Sequence, residues 1–87
     1  MAYKVLVGRS AEKDFKKIPQ ELKKNLVRLI ADLSKNPRPA RVRKIVNSKN
    51  LYRLRAGDYR VVYEIDDRRK TVSIFRIRHR KEVYSNL

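Results

Sequence analysis

The sequence predicts an α+β domain in which a helical hairpin covers one face of a small sheet. Three observations carry this. Apolar residues recur at helical spacing from Ala11 to Leu33, interrupted once by Pro19. Between Leu51 and Ile77, apolar and polar residues alternate with the period of a strand. Polar turns, Ala56-Gly57-Asp58 and Asp66 to Lys70, cut that region into three strands. The order β-α-α-β-β-β then implies an antiparallel three-strand meander after the hairpin, with the N-terminal strand added to the sheet. The 87 residues make one domain, 1–87, with a modest core.

The elements follow in chain order. Tyr3 to Val7 is a nearly continuous apolar run ended by Gly8, which predicts a strand buried in the middle of the sheet. Ser10 is placed to cap a helix, with Glu12 and Asp14 in the first turn, where the helix dipole favours acids. Ala11, Phe15 and Ile18 give that helix one apolar face. Pro19 breaks it and can open the next helix at its first position. Leu22, Leu26, Leu29, Ile30 and Leu33 then form a stripe at 3.6-residue spacing. Asn36-Pro37 stops the helix and Pro39 prevents its restart. The stripe must be buried, and a sheet is the available surface, so Leu22, Leu26, Leu29 and Leu33 are expected core residues. Arg38 to Asn50 is a basic linker containing a short strand candidate at Val42 to Val46; it reads equally as a solvated loop or as a nucleic-acid contact. The chain closes through Arg78 to Tyr84, expected as a strand end and a short helical turn.

Composition narrows the function. The net charge is +15, and its distribution is uneven: residues 1–37 hold seven lysines and two arginines, residues 38–87 eleven arginines and four lysines. Lysine on helices is often plain solubilising charge. Arginine on strands and turns presents a planar fork that binds phosphate oxygens in pairs and stacks on bases. Nucleic acid is therefore the expected polyanion, and a membrane surface is disfavoured because no basic lipid-binding helix is visible. No apolar run approaches the ~20 residues of a membrane span, and the N-terminus lacks the apolar core of a signal peptide, so a cytoplasmic protein is expected. With no cysteine, one histidine and nine acidic residues, the chain is poorly equipped to build a metal site, and no cofactor is expected.

The stretch Leu51 to Asp66, LYRLRAGDYRVVYEID, concentrates the chemistry. Leu51, Arg53 and Arg55 share one face of its first strand, with Tyr52 and Leu54 on the other. In the second strand Tyr59, Val61, Tyr63 and Ile65 alternate with Arg60, Val62 and Glu64. Arg53, Arg55 and Arg60 should thus stand together on the face the helices leave open, framed by Arg78 or Arg80. Each alone reads as a solvated arginine. Clustered, like charges repel unless an anion or an acidic partner sits among them.

These residues resemble a known family. The L-Y-R-L-R-x-G-D-Y-R-V-x-Y stretch, followed by a strand and H-R-K-E-V-Y, is similar to the RelE/ParE superfamily of toxins from toxin–antitoxin systems, and the layout matches across essentially the whole chain. The RelE branch implies a ribosome-dependent endoribonuclease that cuts mRNA; the ParE branch implies a DNA gyrase poison. A non-catalytic basic module binding RNA or protein is the remaining alternative. By the resemblance, Arg60 would sit on the scissile phosphate. Arg53 and Arg55 fall where RelE-type toxins have two lysines, a departure, because arginine keeps the charge but moves protons poorly. The remaining catalytic arginine aligns with Arg80, or with Arg78. Tyr84 would stack on or orient the substrate, or else pin the tail to the sheet. His79 would do acid–base work, or else be a hydrogen-bonded structural histidine. Arg43 and Lys44 of the linker are further RNA-binding candidates. The family also implies an acidic, partly disordered RelB-like antitoxin that covers the arginines, and an oligomeric complex that binds its operator through the antitoxin.

Overall fold

The computed structural model describes residues 2–79. Its elements are β1 (Lys4–Val7), α1 (Arg9–Lys16), α2 (Gln20–Asp32), β2 (Arg43–Lys44), β3 (Leu51–Ala56), β4 (Tyr59–Asp66) and β5 (Thr71–His79). They form one five-stranded sheet in the order β1-β5-β4-β3-β2. β2, β3, β4 and β5 pair antiparallel, as the alternation and short turns require. β1 joins β5 in parallel, so the sheet is mixed. A parallel neighbour needs a long crossover, and here both helices lie between β1 and the meander.

The expected α+β architecture is observed, with several differences of detail. β1 lies at an edge rather than in the middle of the sheet, and Leu6 and Val7 stay exposed. A short apolar run looks the same whether one or both flanks are paired. α1 starts before Ser10. Gly8 donates its N–H to the Ile74 carbonyl (2.9 Å), and its own carbonyl accepts from Glu12 N–H (3.0 Å), so Gly8 is the N-cap and Ser10 is already helical. A Cβ on Gly8 would meet the Ile74 oxygen at 3.1 Å, a close approach that favours glycine. Pro19 is the N-cap of α2 rather than its first helical residue. Finally, Leu22 is exposed. In the same turn the Lys23 ammonium lies 5.3 Å from the centre of the Phe15 ring of α1.

The core is the layer between helices and sheet: Leu26 of α2 and Leu33 at its C-cap against Leu54, Val61, Tyr63, Ile65, Val72, Ile74 and Ile77, with Ala11 and Ile18 from the first helix and its corner. Leu29 and Ile30 are partly buried against it. α1 packs on β5 and α2 on β3. Where β1 ends, β5 is left with an uncovered edge, and Asp14 of α1 covers it. Its carboxylate accepts from Ile77 N–H (2.9 Å) and from Arg76 Nε and Nη2 (2.8 and 3.0 Å). Burial alone would push the Asp14 carboxyl up; these hydrogen bonds and the charges of Arg76 and Arg78 hold it below its usual range. One irregularity interrupts β4–β5: Val62 pairs with Arg76 and Tyr63 with Ile74, so Phe75 is an extra, bulged residue. The expected strand at Val42 to Val46 contracts to the two residues of β2. The expected C-terminal turn, together with Arg80 and Tyr84, lies outside the described residues.

Candidate functional site

Strand register decides which arginines meet. Leu54 pairs with Val61 and Tyr52 with Tyr63, and these side chains enter the core. The alternate positions therefore face the other way. There Arg55 pairs with Arg60 and Arg60 with Arg78, a row of three across β3, β4 and β5. A second row runs from Arg43 to Arg53 to Val62. The hairpin turn that ends β3 is made possible by Gly57, whose φ of +63° favours glycine.

Beside these rows lies an open cleft of about 750 Å³, lined by Ala40, Arg41, Arg43, Arg53, Arg55, Gly57, Asp58 and Arg60. Five of the eight lining residues are arginines, and Asp58 is the only acid among them. Arg55 Nε donates to the Gly57 carbonyl (3.2 Å), which folds that guanidinium onto the hairpin tip. Such a concave set of forks suits a ligand with several anionic oxygens. Among the described residues, no three His, Asp or Glu side chains converge as a metal-binding group would require.

Arg53, Arg55, Arg60 and Arg43 come together as the sequence suggests. Two other candidates do not. Lys44 pairs with Tyr52 and so takes the opposite side of the sheet from Arg43. His79 pairs with Tyr59, and the two rings meet edge to face at 5.2 Å between centroids. His79 thus shares the side of Tyr59 and Ile77 rather than that of Arg60. Arg78 lies in line with Arg60, half-buried, one strand beyond the cleft. Arg41 lines the cleft although the sequence reading passed over it. Its signal was Arg41-Val42-Arg43, the same two-residue alternation that marked Arg53 and Arg55.

Arg41 and Arg43 sit on or beside a loop, and that loop is anchored. The buried Tyr63 hydroxyl donates to the Pro37 carbonyl (2.7 Å). Arg38 donates from Nη1 and Nη2 to both oxygens of Asp67 (3.3 and 2.8 Å) and from Nε to the Tyr52 hydroxyl (3.2 Å). Tyr3 donates to the same carboxylate (2.6 Å). The hydrogen bonds from Arg38 and Tyr3 pull the Asp67 pKa down to about 2, and burial pushes the Tyr63 phenol up. This network ties the start of the 36–42 loop to β3, β4 and the turn after β4.

Comparison with known proteins agrees with the geometry. Residues 5–84 match a family model described as the ParE toxin of the type II toxin–antitoxin system parDE. Toxin RelG of Mycobacterium tuberculosis is 34% identical, over 97% of this chain and 98% of its own length. Among solved structures, the RelBE2 toxin–antitoxin complex of M. tuberculosis matches with a TM-score of 0.81 at 30% identity, covering 92% of this chain and all of that one. The archaeal RelE–RelB complex from Pyrococcus horikoshii matches with a TM-score of 0.82 at 27% identity, covering 92% and 97%. By its sequence, its sheet topology and its relatives, the chain belongs to the RelE/ParE superfamily of toxins of type II toxin–antitoxin systems.

Proposed function

We propose that this toxin is a metal-free endoribonuclease of the RelE type, cutting mRNA on the ribosome and held inactive by a RelB-like antitoxin. The observation that carries the reading is the cleft in which Arg41, Arg43, Arg53, Arg55 and Arg60 surround one open volume. Cleavage of this kind uses the substrate's own 2′-hydroxyl, which attacks the adjacent phosphorus. The P–O5′ bond breaks, giving a 2′,3′-cyclic phosphate and a 5′-hydroxyl. Charge grows on the non-bridging oxygens, and fixed guanidinium groups stabilise it without reorganising. Arg60, on the central strand β4, is assigned to the scissile phosphate; Arg53 and Arg55 position the strand and add charge. Arg80 and Tyr84 keep the catalytic roles that the family resemblance gives them, with Arg78 as the alternative to Arg80. His79 packs on Tyr59, so this reading gives it no proton to move.

Induction of the wild type and of Arg60→Ala in cells, with growth and primer extension on translated mRNA read together, tests the proposal. Arg60→Ala should lower the cleavage rate ~10²–10³-fold; an unchanged rate removes Arg60 from the mechanism. A second reading, gyrase poisoning, is favoured by one observation: the matching family model is that of ParE. Loss of supercoiling or double-strand breaks without RNA cuts would establish it.

The partner follows from the charge. An acidic chain, partly disordered before binding, would neutralise the arginine cleft, with operator contacts made through the antitoxin in a larger complex. Both solved structures compared above are toxin–antitoxin complexes, which supports this partner class.

A further inference from the structure

We infer that the groove between α2 and residues 36–41 is a nucleobase subsite, holding the base of the nucleotide next to the phosphate in the arginine cleft and favouring a base with an exocyclic amine. The inference rests on the RNA reading above and adds to it a site and a selectivity.

The groove is separate from the cleft but continuous with it: about 390 Å³ in volume, it shares Ala40, Arg41 and Arg55 with the larger cavity. Its size falls within the ~300–1,000 Å³ typical of small-ligand sites. Its floor is apolar, made by Leu29, Leu33 and Leu54, and the last two are themselves buried. Its rim is polar, made by Asn25, Arg28 and Asp32 of α2 and by Asn36 just beyond it. An apolar floor with a hydrogen-bonding rim matches a heterocyclic base, whose faces are apolar and whose edges are polar. A phosphate has no use for the leucines, and an aliphatic side chain has none for the amides.

The rim has a readable pattern. Asn25, Leu29, Asp32 and Asn36 follow one another at three- and four-residue steps, so they share one side of the helix and its extension. The Asn36 side-chain oxygen already accepts from Arg38 N–H (3.2 Å), which leaves its NH₂ group as the donor. Asp32 only accepts when ionised, and Asn25 both donates and accepts. An adenine edge offers an amine beside a ring-nitrogen acceptor and a cytosine edge offers an amine, and amides and carboxylates pair with these. A guanine edge offers an amine beside a ring N–H, and a carboxylate accepts from both, whereas uracil has no amine to offer. The two shared arginines supply the link. A backbone phosphate between Arg41 and Arg55 has its neighbouring nucleoside at the mouth of the groove.

The test uses the purified full chain and fluorescence anisotropy with a set of five-nucleotide RNAs that differ at one position, carrying A, C, G, U or an abasic ribose, with that position moved along the strand. Wild type should bind strands with A, C or G at one position about 5- to 100-fold more tightly than the matching abasic strand, and more tightly than the U strand. The double variant Asn25→Ala, Asp32→Ala should erase that difference and keep the salt dependence, because both positions are exposed on the helix and alanine suits a helix. Equal binding of all strands by wild type overturns the subsite and leaves the RNA-binding cleft standing. A base preference that survives the double variant also overturns the subsite. Failure of every strand to bind, with an acidic peptide binding instead, overturns the cleft reading and the subsite together.

Discussion

Asp67 lies outside the arginine cleft, yet it holds Arg38 and through it the loop that leads to Arg41 and Arg43. Its folded pKa, about 2, is below the ordinary value of 3.8, so the folded state prefers the ionised form. The stabilisation is complete above about pH 4 and fades as pH falls through the folded value. Thermal melts of wild type and Asp67→Asn should therefore differ most near neutrality and converge toward pH 2; a constant gap would exclude this origin. A second prediction concerns His79. General acid–base catalysis contributes ~10²–10⁴-fold, so a rate loss of less than about 10-fold in His79→Ala fits a side chain that packs on Tyr59, and a loss of 10²-fold or more does not. The residues themselves explain why His79 looked catalytic. It is the one histidine of the chain, and it stands between two arginines in sequence. Neighbours along a strand point to opposite faces, so chain proximity to Arg78 argued against a shared site rather than for it. Lys44 beside Arg43 takes the opposite side of the sheet for the same reason.

At the scale of elements, periodicity was the most legible signal. The two-residue alternation of LYRLRAGDYRVVYEID assigns every side chain of β3 and β4 to a face, and the cleft arginines follow from it. The three-to-four-residue spacing of Leu26, Leu29 and Leu33 likewise identified the covered side of α2. Pairing partners were less legible, because β1 carries nothing in its own sequence that distinguishes an edge from a centre. Leu22 shows the limit of a stripe: the spacing continues one step beyond the surface that buries it. Leu26→Ala should accordingly cost roughly 2–5 kcal/mol. Leu22→Ala should cost well under that, about 1 kcal/mol or less, since little apolar area is lost. Urea denaturation of the two variants measures both; equal losses would mean that Leu22 is covered in solution.

For the molecule as a whole, charge segregation matters more than total charge. The helices cover one face of the sheet, and the other carries the arginine rows of β2, β3, β4 and β5 beside the cleft. No helix of the described residues is long and apolar enough to cross a membrane. If the five cleft arginines each displace one counterion from single-stranded RNA, the log–log salt slope of binding should be about −3.5. A slope near zero in an anisotropy titration would show that the cleft does not meet phosphates. The acidic partner should show the same sensitivity, since it would compete for the same guanidinium groups.

The parallel pairing of β1 with β5 has a consequence in time as well as in space. Lys4 of β1 meets Thr71 of β5, so β1 waits for a strand that follows both helices and the hairpin in the chain. Contacts of such long sequence separation form late, after the loop between them has closed. β4, which carries Arg60, gains its second neighbour only when β5 arrives. A nascent chain still within the exit tunnel therefore has its arginines but not the rigid sheet that aligns them. Until β5 emerges and pairs, the chain carries the charge of the cleft without its shape, and an antitoxin that reads only the charge would already find it.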